Sequence, residues 1–167
     1  MGLGIAIDDP KVRLAAVQAG VQYHFLSALA AMVFATLVHA IVLTYFMGTG
    51  RWIEETSQAY RLDASLYQQS KAIKYRTIPL IVACFAMLLT TGALGACADP
   101  ASPMQARGWG TLSASTIHLI AAFATIFVNL FVNWLEFLAL EQNGDVVDRV
   151  LAEVRRIRIE NGLAVDG

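Results

Sequence analysis

One stretch of this chain gathers the side chains from which chemistry could be built. Residues 111–140 read TLSASTIHLIAAFATIFVNLFVNWLEFLAL, long enough to cross a bilayer as one helix. At about 100° per residue, Thr111, Ser115, His118, Thr125, Asn129, Asn133 and Glu136 fall within an arc of roughly 80°. The opposite face is Leu, Ile, Phe and Val, apart from Ser113 and Thr116 near its start. An ionisable group in a span costs at least ~2.5 kcal/mol unless it faces protein or water. The stripe therefore faces other helices. The chain's other two histidines, His24 and His39, lie in an earlier apolar run, beside a line of small residues made by Ser27, Ala28, Ala31 and Ala35.

Three chemistries suit this set. In the leading expectation the polar seam of Thr125, Asn129, Asn133 and Glu136 is glue between helices, since Asn and His bond across helices and fix their register. The protein is then a non-catalytic accessory or oligomeric subunit of a membrane complex. The alternative is electron transfer through haem b, with His24 and His118 as axial ligands, or His39 paired with a copy from another subunit. Small residues beside the histidines leave room for a flat macrocycle. The third is a proton or cation pathway through an oligomer, lined by His118, Thr125, Asn129, Asn133 and Glu136.

Depth along each helix sorts these groups. By helical rise His24 and His118 lie ~16 and ~13 Å from the middles of their spans on one side. On the other side His39, Asn133 and Glu136 lie ~7, ~10 and ~15 Å from the middle. An outer pair, His24 and His118, and an inner trio, His39, Asn133 and Glu136, are the expectation.

Enzyme chemistry has little to stand on. There is no Ser/His/Asp spacing, no HExxH and no nucleotide loop; Gly48-Thr49-Gly50 lacks the GK[ST] element and the preceding strand. No metal is expected. Cys84 and Cys97 stand in no metal-like or redox-like spacing, and on one helix they are roughly 20 Å apart, too far to pair.

The whole chain must position these residues inside lipid. Of 167 residues 57% are hydrophobic and only 15% charged, where a soluble domain carries nearer a quarter charged. Mean hydropathy is +0.56 and net charge −1, which gives no field for nucleic acid. The fold class expected is an all-α integral membrane protein with three transmembrane helices, N-terminus out and C-terminus in. Residues 1–20 form an N-terminal leader or surface helix started by Asp9 and Pro10. Residues 21–140 form the membrane domain, with spans at about 22–47, 77–98 and 111–140. Residues 141–167 form a cytoplasmic amphipathic tail helix, Asp145 to about Glu160, with an apolar stripe of Val147, Val150, Leu151, Val154 and Ile157. Asn161-Gly162 stops it.

Between the first two spans, Gly48-Thr49-Gly50 is expected to end the first. Two short loop helices follow, broken near Leu62-Asp63, with Trp52, Tyr60, Tyr67 and Tyr75 against the headgroups. Pro79 is expected in the first turn of the second span, a packing helix rich in Ala, Gly and Thr. The loop 98–110 is punctuated by Pro and Gly. Nine Lys and Arg fall in the first loop and tail, against Lys11, Arg13 and Arg107 on the other side. That asymmetry makes loop and tail cytoplasmic. The expected location is a bacterial inner membrane, with lipid and other membrane subunits, or copies of itself, as partners and no nucleic acid.

Overall fold

The structure, a computed structural model, describes residues 10–99 and 102–164. It contains three helices, α1 (Pro10–Tyr60), α2 (Ala64–Ala98) and α3 (Ala114–Glu160). Each is long and apolar enough to cross a membrane, and no sheet is formed among the described residues. The chain divides into two units, Met1–Val38 and His39–Gly167. In the first, α1 runs from Pro10, at the helix start as expected, while the Asp9 cap lies outside the described residues. Tyr23, Phe25, Leu29, Val33 and Phe34 are exposed there, as apolar side chains that meet lipid are in an isolated chain.

The second unit is organised by one spacing. Buried residues of α3 are Thr125, Asn129, Val132, Glu136, Ala139, Asn143, Val146 and Val150, separated alternately by four and three positions. On α2 they are Ser70, Thr77, Ile81, Cys84 and Leu88, and on α1 His39, Val42, Phe46, Gly50, Ile53 and Ser57, all in the same phase. A 3.5-residue repeat keeps one seam of each helix facing its neighbours only if the helices coil left-handedly. Two apolar layers result. Val42, Phe46, Ile81 and Ala139 form one; Ile53, Val146 and Val150 form the other, sided by Leu62, Leu66, Tyr67 and Val154.

Several expected boundaries move because the seam does not stop where the sequence punctuation does. Gly48 and Gly50 do not end a helix. Neither has positive φ, and α1 continues through them to Tyr60. The two loop helices are the end of α1 and the start of α2, so the break near Leu62-Asp63 is present but joins longer elements. Pro79 sits well inside α2 rather than in its first turn. Asn143-Gly144 does not separate a tail, and residues 10–20 are not a separate helix, so neither edge of the expected 21–140 domain is a break in the backbone. Within the tail, Val150 is buried with Val147 and Val154 packed beside it, as the expected stripe has them. But Val146, outside that stripe, is buried and Leu151, within it, is exposed, because the 3.5-residue phase set farther up α3 continues through it. Tyr67 packs on the Ile53 layer, not outward.

Each end has its own chemistry. Arg61, at φ 54°, follows the last residue of α1, and Leu62 N–H donates to the Ser57 carbonyl at 2.9 Å. This closes the helix as a Schellman-type cap, with Leu62 packing into the core as the motif's apolar contact. Asp63 then caps α2, its carboxylate accepting from Ser65 N–H at 2.7 Å. Ser113 caps α3 by accepting from Thr116 N–H, so α3 begins at Ala114 rather than at Thr111. Gly162, at φ 66°, ends α3 after Asn161, with Leu163 N–H on the Arg158 carbonyl.

Candidate functional site

The polar residues of the seam gather in layers, and the central one is built around His39. Its Nδ1 lies 2.7 Å from Glu136 Oε1 and its Nε2 lies 3.0 Å from Asn129 Oδ1. His39 is fully buried, Glu136 is 1% exposed and Asn129 is 7% exposed. The seven-residue step from Asn129 to Glu136 puts both on one side of α3, so α1 inserts its imidazole between them. Phe85 of α2 meets the imidazole edge-on, ring centroids 5.8 Å apart, and Cys84 beside it is fully buried.

Donor and acceptor roles follow from this geometry. Asn129 spends its Nδ2 on the Thr125 carbonyl at 2.8 Å, so its Oδ1 faces His39. That oxygen can only accept, so Nε2 of His39 carries a hydrogen. On the other side of the ring, one proton lies between Nδ1 and Glu136 Oε1. The pair is either imidazolium with carboxylate or imidazole with carboxylic acid. A buried pair of this kind tolerates loss of neither partner, because the one left behind is desolvated and unpaired.

The chain of polar contacts continues away from the α1–α2 turn. Thr125 Oγ1 lies 2.7 Å from Thr91 Oγ1, joining α3 to α2. About two turns farther along α3 the half-buried His118 ring packs on Gly95 of α2, where a Cβ would stand 3.1 Å from the imidazole. Gly95 is what lets that ring in. Toward the turn the seam is first apolar, through the Val42 and Phe46 layer, and then polar again around fully buried Asn143. Asn143 Oδ1 accepts from Ser70 Oγ at 2.7 Å, and its Nδ2 donates to Thr49 Oγ1 at 3.1 Å and Tyr45 Oη at 3.3 Å. Outside the seam Arg76 donates to Gln142 and Arg149 to Gln69, tying α2 to α3 where water can reach.

Two buried oxygens of α3 have no partner among the described residues: Glu136 Oε2 and Asn133 Oδ1. Each such orphan costs ~1–3 kcal/mol.

The residues singled out by sequence are thus distributed unevenly. Thr125, Asn129 and Glu136 join His39 in one network. Asn133, expected at the same level, contributes no bond to it. His24 is exposed on α1 in the first unit, while His118 and His39 belong to the second. Both ring nitrogens of His39 are taken by protein oxygens, so ligation of a haem iron there has to break both bonds. The Asn143 layer, with Ser70, Thr49 and Tyr45, is not among the polar groups the sequence singles out. Its signal is the step Asn129, Glu136, Asn143, one heptad each, which continues straight through the supposed end of the span. No protein-family model, curated protein or solved structure matches the chain.

Proposed function

We propose that the chain is a non-catalytic accessory or oligomeric subunit of a membrane complex, its polar seam serving to lock three helices in register. The observation that carries this is the internal satisfaction of His39: an imidazole whose two nitrogens are bonded to α3 is set to hold helices together. Interhelical bonds of this kind are worth ~0.6 to 2 kcal/mol each and specify one packing over its slipped alternatives. The same seam runs on, past the apolar region, into a three-helix rod with a charged exterior that includes the exposed Arg51–Glu55 pair.

The orientation that goes with this reading is N-terminus out and C-terminus in, supported by the nine-to-three distribution of Lys and Arg. It puts the rod in the cytoplasm of a bacterium, where Leu151, Ile159 and Leu163, exposed on the last turns of α3 and beyond, are open to another subunit. Phe123, Phe127, Phe131 and Trp134, exposed along α3, are open to lipid or to a neighbouring span.

Light scattering of the protein extracted in mild detergent, with detergent mass subtracted, tests the reading. A particle heavier than one chain of 18.1 kDa is expected, and replacing Leu151, Ile159 and Leu163 with Ser should return it toward one chain. A particle of one chain with no companion protein overturns it.

A further inference from the structure

The donor count around Glu136 is short. Four side-chain oxygens are grouped on one stretch of α3, namely both carboxyl oxygens of Glu136 and the amide oxygens of Asn129 and Asn133. Against them stand the Nε2–H of His39 and the one proton between His39 and Glu136; the Asn133 amide and the Cys84 thiol donate to neither orphaned oxygen. These serve Asn129 Oδ1 and Glu136 Oε1, leaving Glu136 Oε2 and Asn133 Oδ1, both buried, without a donor. Residues 133 and 136 are one turn apart, where side chains of an α-helix meet. An acceptor-rich cluster of buried oxygens attracts a cation, and the smallest one that serves both orphaned oxygens is a proton.

We propose that the His39–Glu136 pair is a proton-binding site that takes up a second proton from the aqueous phase, with Glu136 passing from carboxylate to carboxyl. In the loaded state both His39 nitrogens carry hydrogen, donating to Asn129 Oδ1 and Glu136 Oε1. The new hydrogen is on Glu136 Oε2 and is donated to Asn133 Oδ1. In the unloaded state the pair is neutral overall; loading adds one positive charge and ends both unmet acceptors. The cost of a charge in a span and the cost of two unmet buried acceptors are of similar size, so neither state is held permanently. The other titratable groups packed on this layer are few: His39 itself from α1, and Cys84 from α2, buried within electrostatic range of Glu136. This goes beyond the subunit reading, which stands whether or not the site loads.

The experiment is infrared difference spectroscopy of the full chain in liposomes, taken from about pH 8 to about pH 5. It is paired with nitrogen-15 spectra of histidine-labelled protein, in which three histidines give a resolvable set. A protonated-carboxyl band is expected to grow as pH falls, to shift in deuterium oxide and to be absent from E136Q. The same band should move in frequency in N133A, which keeps the histidine pair and serves if E136Q fails to fold. His39 should show two protonated nitrogens at the acid end. No band at the acid end overturns the proposal and means that Asn133 has turned its amide to donate, or that a water bridges the oxygens. A band constant over the range overturns it as a site that loads. A band that responds to replacing choline with sodium at fixed pH overturns the proton in favour of a metal cation. An unchanged band in N133A removes Asn133 as the acceptor.

Discussion

Replacing His39 with Leu should be among the most damaging single changes to the second unit, and the reason makes a quantitative cycle possible. His39 is fully buried and bonded at 2.7 Å to Glu136 and at 3.0 Å to Asn129. Removing it strands the Glu136 carboxyl and the Asn129 oxygen together. Breaking a buried pair by removing one partner costs ~3 to 5 kcal/mol, and an unmet amide oxygen adds to that. Glu136→Leu leaves His39 neutral with Nε2–H still on Asn129, so only Nδ1 is unmet and the loss should be smaller, ~1 to 3 kcal/mol. In the double variant neither member of the ionisable pair remains, and Asn129 Oδ1 is the one oxygen newly stranded. It should therefore be more stable than His39→Leu alone. The coupling energy should exceed ~2 kcal/mol, beyond the ~0.6 to 1.7 kcal/mol of neutral interhelical bonds in membranes. Unfolding by SDS in mixed micelles, followed by far-ultraviolet circular dichroism, gives all four corners of the cycle. Additive losses, or a double variant weaker than both singles, would show that His39 and Glu136 do not share a proton as a unit.

Three further outcomes follow from other parts of the second unit. Ile53→Ala, at a side chain with no exposure in the Val146 and Val150 layer, should cost ~2 to 5 kcal/mol in the same assay. Gly95→Ala asks the His118 ring to move a few tenths of an ångström, whereas Gly95→Leu must displace it. The nitrogen-15 signals of His118 should shift slightly in the first and strongly in the second. The Asp63 carboxyl is held below the usual carboxylate range by the backbone N–H of Ser65. Its capping contribution is therefore full above about pH 4 and lost as pH falls through its lower folded value. The melting-temperature difference between the native chain and Asp63→Asn should vanish or change sign at acid pH and stay level above it.

Much of this architecture is legible in the residues, and what is not has a physical cause. Three apolar runs, the break before Asp63 and the stop at Asn161-Gly162 are local signals, set by side-chain solvation and capping within a few residues. The polar face holding Thr125, Asn129 and Glu136 is likewise readable from helical spacing. Which residue answers them is not, because that depends on the depth at which α1 lies against α3: a shift of one turn exchanges Asn133 for Asn129 as the partner of His39. The punctuation at Gly48-Thr49-Gly50 and Asn143-Gly144 misleads for a different reason. Glycine is permissive of a left-handed cap but does not demand one, and a seam with Phe46 and Ile53 on either side outweighs the small helical penalty of glycine.

The layer of Val42, Phe46, Ile81 and Ala139 gives the interior a direction. Phe46 is 1% exposed, and the layer separates the Asn143 group on one side from His39 and Glu136 on the other. It acts as a gasket. Water working inward from the α1–α2 turn can wet Asn143 but meets only hydrocarbon beyond it. From the other end, half-buried Thr91 and buried Thr125 place hydroxyls nearly up to Asn129. The His39 layer therefore has hydroxyls on one side and hydrocarbon on the other, and a thinner seal, as in Phe46→Ala, should speed solvent exchange at His39 from the side of the α1–α2 turn.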